Sequence, residues 1–330
     1  MLLLATATAT GCTAILGEGD TLVTASTTTG ANWGDVRTAF TESTGITVPS
    51  EDNAANATID RLEAEGDATT VDTAYLEPLH AFRAHSDGLI APFDGDRLAD
   101  VPVELRSPDK TWFTVHTAAV AIIVNTEVLG DTKLPKGWKD LTKKRYRDMV
   151  SFLDPVSVSA GYATLTAVNG ALGGDPDDWE PATDWAEDLL GNGASLLTTS
   201  DPSAVLSGDV PILIDTDATG YRLAAASDDI TVILPKEGTI AMPYMLGKLE
   251  NAPHPDNADA FLSFALSRDA QRLFAKSYFR PVTDIAIPAE IAKVMAPEAE
   301  YLERVAVPDV SEMDMSYIDA VVAWNSHVLG

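Results

Sequence analysis

Two apolar runs, Phe113–Asn125 and Thr239–Leu249, carry no helical period, and the first exceeds the length of an ordinary strand. Strands this long have room to pass from one folding unit into another. Before the first run the chain alternates short strands and helices. Thr21–Ser26 reads as a strand and Asn32–Ser43 as a helix, with Trp33, Val36 and Phe40 on one face and Gly45 at its end. Ile46–Val48 is expected as a second strand, followed by a helix from Ala54 to Glu65. Asp72–Tyr75 is expected as a third strand, followed by a helix through Ala84. Such β-α alternation implies a mostly parallel sheet covered by helices.

The alternation restarts between the two runs. Strands are expected at Met149–Leu153, Ser195–Thr198, Val210–Asp215 and Ile230–Leu234. Helices are expected at Ser159–Leu172, Asp178–Leu190, Ser203–Leu206 and Tyr221–Ala226. After Leu249 come two amphipathic helices and a helical tail broken at Pro297 and Pro308. A chain of 330 residues accommodates about two domains. The expected division is a tether at 1–20, one lobe from 21–118 with 240–330, and a second lobe at 119–239. The two long runs make the crossings, so the fold class is α/β with two lobes.

Composition narrows the function by exclusion. The formal net charge is −28, which opposes the counterion-releasing Lys/Arg contacts that nucleic acids require. An anionic membrane surface is a poor partner for the same reason. Past residue 20 no apolar run approaches the ~20 residues of a membrane span. Cys12 is the only cysteine, so neither a disulfide framework nor a cysteine-based metal site is expected. There is no phosphate loop, no Gly-x-Ser-x-Gly elbow and no His-Glu-x-x-His helix. His80 and His85 are five apart, not a one-face helical pair, and read as surface residues. No cofactor and no catalytic residue are expected.

Two polar segments stand out. Asp215-Thr216-Asp217 ends an expected strand, and residues two apart on a strand share a face. At the C-terminal edge of an α/β sheet such carboxylates suit a cationic group or a metal. The alternative is solvated loop carboxylates or a cap on the following helix. The second segment, Asp154 to Gly161, opens a helix after a strand. Ser157 and Ser159 are expected to cap it, leaving first-turn N–H groups for a carboxylate or phosphate. Plain capping is the alternative.

Taken in order, the motifs resemble the iron/thiamine/phosphonate-type branch of solute-binding proteins of ABC importers. They include Asn32-Trp33-Gly34 and the Phe40…Gly45-Ile46-Thr47-Val48 segment. Asp87-Gly88-Leu89…Pro92-Phe93, Leu134-Pro135…Trp138…Asp140-Leu141 and Asp154-Pro155…Gly161 follow. Pro235…Gly238, Ala252-Pro253-His254-Pro255 and Arg280-Pro281-Val282 complete the set. The resemblance covers roughly residues 21–285. It implies a type II periplasmic-binding fold, a hinge at the two crossings, no enzymatic activity, and partners in a permease and an ATPase. A monomer is expected. Met1–Cys12 resembles the end of a bacterial lipoprotein signal, with Cys12 lipidated and the protein extracytoplasmic; no basic residue precedes the apolar part, and an unmodified tail is the alternative.

By resemblance the ligand lies against the turns after the early strands, the Asp154 helix start, and the segment from Asp215 to Tyr221. This implicates Ser26, Thr27, Trp33, Tyr75, Ser157, Ser159, Gly161, Asp215, Asp217 and Tyr221. Tyr244 and His116 lie on the crossings, where facing the cleft and packing in the hinge are both open. The expected ligand is a small charged solute: an aminoalkylphosphonate, thiamine or a polyamine-like cation. Ferric iron is the alternative, although the branch's iron binders carry adjacent tyrosines where this chain has Gly220-Tyr221. A metal-dependent enzyme using Asp215 and Asp217 is a remoter one.

Overall fold

The computed structural model describes residues 21–26, 32–52 and 55–330. Thr27 and Cys12 lie outside the described residues. The first half begins β1 (Thr24–Ser26), α1 (Trp33–Thr44), β2 (Ser50–Asp52), α2 (Ala55–Glu65), β3 (Thr73–Leu76), α3 (Pro78–Ser86) and β4 (Ile90–Ala91). β2, β1 and β3 are parallel, with Thr24 opposite both Ser50 and Thr73. Trp33, Val36 and Phe40 bury one face of α1, and Gly45, at φ 80°, closes the helix by donating to Thr41 O. The strand expected at Ile46–Val48 is a single bridge, Thr21 to Thr47. The β2 ladder starts at Ser50, directly after Pro49, which has no N–H to donate.

β5 (Phe113–Asn125) is buried at all thirteen positions. Its first part pairs antiparallel with β10 (Thr239–Leu249), from Phe113↔Leu246 to Ala119↔Ala241. Its second part pairs with β8 (Ile212–Thr216) and β9 (Ile230–Ile233). One strand thus serves two ladders and is covered on both faces, which is why its sequence does not alternate. The continuous strand order is β2-β1-β3-β10-β5-β8, then β6 (Val150–Leu153) and β7 (Ser195–Leu197).

Helices cover the second half: α4 (Thr126–Leu129), α5 (Trp138–Leu141), α6 (Ser159–Leu172), α7 (Glu180–Gly191), α8 (Ser203–Ser207) and α9 (Asp217–Ala224). After β10 come α10 (Pro255–Ala265), α11 (Arg268–Lys276), β11 (Arg280–Pro281), α12 (Ala289–Ala292), α13 (Glu298–Arg304), β12 (Val305–Ala306) and α14 (Val310–His327). β11 pairs with β5 at His116 and Thr117. The sequence groups the whole tail with the first lobe. In the structure α14 packs on α7 and also touches α3, and its Trp324 meets Phe152 of β6 edge to face at 6.2 Å. No described helix is long and apolar enough to cross a membrane.

Candidate functional site

Helix α3 is one of the elements through which the two halves meet. Leu79 N donates to Ser159 Oγ at 3.3 Å, and Phe82 stands edge-on to Tyr162 at 6.5 Å. The start of α3 and the start of α6 therefore face each other, and the ends of β3 and β6 are brought together with them.

Aromatic residues line the crossing side of this junction. Trp33 stacks on Tyr75 at 4.6 Å, and Tyr75 is stacked with Tyr244 at 6.2 Å. The Tyr75 hydroxyl lies 2.7 Å from His116 Nε2. Burial pushes the pKa of Tyr75 and of Tyr244 well up and that of His116 well down, so all three are neutral. Trp33, Tyr75 and Tyr244 thus form one stack, with Ser26 buried beside Tyr75 in the β1–β3 ladder. His116 is a packed residue of the crossing, 4.1 Å from the Phe279 ring.

The Asp215-Thr216-Asp217 segment departs from the sequence expectation. The strand ends at Thr216, whose Oγ1 caps α9 by accepting from Thr219 N, so Asp217 is the first residue of a helix. The two-residue strand rule therefore stops before it, and the carboxylates take separate partners. Asp215 accepts from Ser200 Oγ and from Thr216 N, each at 2.6 Å. Asp217 Oδ1 accepts from Ala119 N of β5 at 2.8 Å, while its Oδ2 has no partner among the described residues. Burial raises both pKa values, that of Asp217 to about 7 against the opposing charges of Arg280 and Arg222. Tyr221 is also committed: its hydroxyl accepts from Ala296 N at 2.8 Å and its ring lies beside Tyr278.

Neither serine caps α6 in the way expected. Ser157 is exposed and donates to Asp154 Oδ2 at 2.8 Å, and Ser159 spends its hydroxyl on Leu79 N. The N-cap residue is Val158, with no side-chain bond. Gly161 has a steric role, because a Cβ there would meet the Leu153 and Asp154 carbonyl oxygens at 2.5 Å. His80 is buried rather than exposed, and burial lowers its pKa to about 4.

Three residues escaped the sequence reading. Tyr244 feels the charges of Glu77, Asp215 and Arg222, and Tyr75 those of Glu77 and Arg222. Ser200 joins them through Asp215. Arg222 donates to Thr219 Oγ1 at 3.0 Å, and its second terminal nitrogen is buried without a partner among the described residues. A signal for it was present: Arg222 is the only Lys or Arg between Arg147 and Lys236. Among the described residues no three His, Cys, Asp or Glu side chains cluster as a metal site.

The family model described as "Bacterial extracellular solute-binding protein" matches residues 69–313. A Salmonella typhimurium protein, provisionally named 2-aminoethylphosphonate-binding periplasmic protein, is 21% identical over 258 residues, 76% of this chain and 74% of that protein. Iron uptake protein A1 of Synechocystis is 25% identical over 256 residues, 73% of this chain and 69% of its own length. Among solved structures, the periplasmic binding protein AfuA of Actinobacillus pleuropneumoniae, with fructose-6-phosphate bound, aligns with TM-score 0.79 at 18% identity. Iron-bound HitA of Pseudomonas aeruginosa aligns with TM-score 0.76 at 21% identity. Each covers 93% of this chain and 98% of its own. The fold is accordingly that of periplasmic binding proteins, two α/β lobes joined by two crossings.

Proposed function

This chain belongs to the family of bacterial extracellular solute-binding proteins, and from that premise we propose that its cleft captures a small zwitterion of the aminoalkylphosphonate kind. The family consists of transport receptors, not enzymes, which hand a small molecule to the permease of an ABC importer. The ligand assignment rests on one observation: carboxylates and a guanidinium act on the same buried tyrosine, Tyr244, through Glu77, Asp215 and Arg222. Opposite charges gathered around one side chain, Glu77 from the end of β3 and Asp215 and Arg222 from β8 and α9, suit a ligand that carries both signs. The name given to the Salmonella relative agrees with that chemistry. Ser26, Trp33 and Tyr75 supply the first-lobe wall, and Thr27 is assigned to the same site. Ser157, Ser159 and Gly161 supply the opposite helix start. Asp217 and Tyr221 act behind them as supports, since Asp217 Oδ1 accepts from Ala119 N and the Tyr221 hydroxyl accepts from Ala296 N.

The proposed lobes divide at 118/119 and 239/240, with α14 moved to the second lobe because it packs on α7. We propose a monomer tethered through Cys12. The Tyr221 hydroxyl, already bonded to backbone, and Gly220 in place of a second adjacent tyrosine argue against ferric iron. Calorimetry on ligand-stripped protein with 2-aminoethylphosphonate, thiamine, putrescine and ferric citrate tests the reading. 2-Aminoethylphosphonate is expected to bind saturably, and Asp215→Asn or Arg222→Gln to weaken it on the order of tenfold or more. Tight iron binding with a tyrosinate charge-transfer band would overturn the assignment.

A further inference from the structure

Residues 133–147, on either side of α5, hold seven of the chain's 22 Lys and Arg and a single acid, Asp140. The rest of the chain sets 15 basic residues against 49 acidic ones. All seven cations are exposed. Lys236, exposed as well, joins them, its N–H donating to Lys136 O at 2.9 Å.

The segment is pinned from beneath. Trp138, Leu141 and Tyr146 are its buried side. The Trp138 indole donates to Gly238 O at 2.8 Å, and Trp138 O accepts from the Trp185 indole of α7 at 3.0 Å. The Tyr146 hydroxyl donates to Lys133 O at 2.6 Å, which folds the segment back on itself. Asn192 Nδ2 donates to Lys143 O at 3.0 Å. The result is a fixed platform with its cations on the solvent side. Few of these charges are spent within the chain. Lys143 pairs with Asp140, and Arg147 lies 3.8 Å from Asp148. Lys133, Lys136, Lys139, Lys144 and Arg145 make no ion pair among the described residues. Gathering like charges is unfavourable by itself, and an anionic surface relieves it.

Two features select the kind of surface. A protein interface is built around a buried apolar or aromatic centre. Here the aromatic side chains face inward, and Leu134, 43% exposed, is the platform's only exposed large apolar residue. Five of the seven cations are Lys, compact charges on flexible stems. They suit many mobile phosphates better than one fixed carboxylate, which an Arg fork grips in two places. We propose that this platform docks the protein electrostatically on an anionic phospholipid membrane. The acidity of the chain opposes that contact in any other orientation. Acids farther from the membrane than the screening length, about 8 Å at physiological salt, oppose it little when the platform faces the lipid. The inference is independent of what the cleft takes.

The test sediments the full chain, carrying Cys12→Ser so that no lipid anchor contributes, with vesicles of phosphatidylcholine alone or mixed with phosphatidylglycerol. Saturable binding is expected on the mixed vesicles only, weakening as sodium chloride is raised. Lys136→Gln, Lys139→Gln and Lys144→Gln together are expected to weaken it on the order of tenfold or more. Those three side chains make no hydrogen bond or ion pair among the described residues, so an unchanged thermal midpoint is expected. Arg268→Gln, Lys276→Gln and Lys293→Gln remove the same charge elsewhere on the surface and are expected to leave binding as in wild type. The proposal is overturned if mixed vesicles bind no better than phosphatidylcholine, or if both triple variants lose binding equally. Displacement from the mixed vesicles by polyglutamate at matched charge would overturn it too, and would assign the platform to an acidic protein.

Discussion

Asp217 sits fully buried against the backbone of β5, and burial keeps its carboxyl protonated up to about pH 7 in the folded chain, against an ordinary value of 3.8. Between those values the folded form holds a proton that the unfolded chain has released. Stability therefore falls as pH rises through that window and is flat above it. Asp217→Asn is expected to abolish this slope while keeping an acceptor for Ala119 N. Asp217→Ala removes that acceptor and leaves a buried N–H unpaired, at a cost of about 1–3 kcal/mol. Urea unfolding at about pH 5, where the native side chain is already protonated, isolates the hydrogen-bond loss from the charge. If the Asp217→Asn variant retained the wild-type pH slope, the assignment to Asp217 would fail. The sequence showed that Asp215-Thr216-Asp217 was unusual, but not its division of roles. Ala119 is 98 residues away from Asp217, and the Thr216 cap that ends the strand decides which carboxylate turns toward it.

Three residues on one face of α3, Leu79, Phe82 and His85, reach Ser159, Tyr162 and Asp314 in turn. His85 lies 2.9 Å from Asp109 Oδ2 and 3.4 Å from Asp314 Oδ2. Partial burial opposes its charge, but the two carboxylates together outweigh it and raise its pKa above 6.5. A His with a raised folded pKa gives its full stabilisation below the unfolded value and loses it as pH rises through the folded one. The link from α3 to α14 is therefore strongest in mild acid. Asp314→Asn is expected to lower the His85 titration midpoint, read from its imidazole ¹H shifts between about pH 6 and about pH 9, while Asp109, the larger contribution, keeps part of the rise. A midpoint unchanged in the variant would place the effect elsewhere. At this scale the sequence was informative: both crossing strands have the expected bounds, and α6 begins and ends as read. Its misses have local causes. Pro49 displaced a strand, and the Thr216 cap started α9 four residues before Tyr221. The meeting of α3 with α14 was not legible, because neither element carries a motif for the other.

One buried apolar cluster includes Leu22 and Ala25 of the first half, Phe152 and Trp185 of the second, and Trp324 of α14. The halves are thus joined by more than the two strands that cross between them. α14 connects to the first half through Asp314 and His85, and to the second through Trp324 against Phe152. A receptor of this fold must let its halves move about the crossings while unfolding as a unit, and a helix packed on both is well placed to couple them. Wild-type protein is expected to give a single calorimetric transition. Trp324→Ala deletes a fully buried side chain at the second-half contact, at a cost of about 3–5 kcal/mol. The loss falls on the contact between α14 and β6, so the second half is expected to unfold first and the transition to broaden or split. Asp314→Asn acts at the other end of the same helix on a partly exposed contact, and is expected to leave the transition single. Should Trp324→Ala lower the midpoint without separating the two halves, α14 is packing rather than coupling, and the strands β5 and β10 alone carry the cooperativity of the molecule.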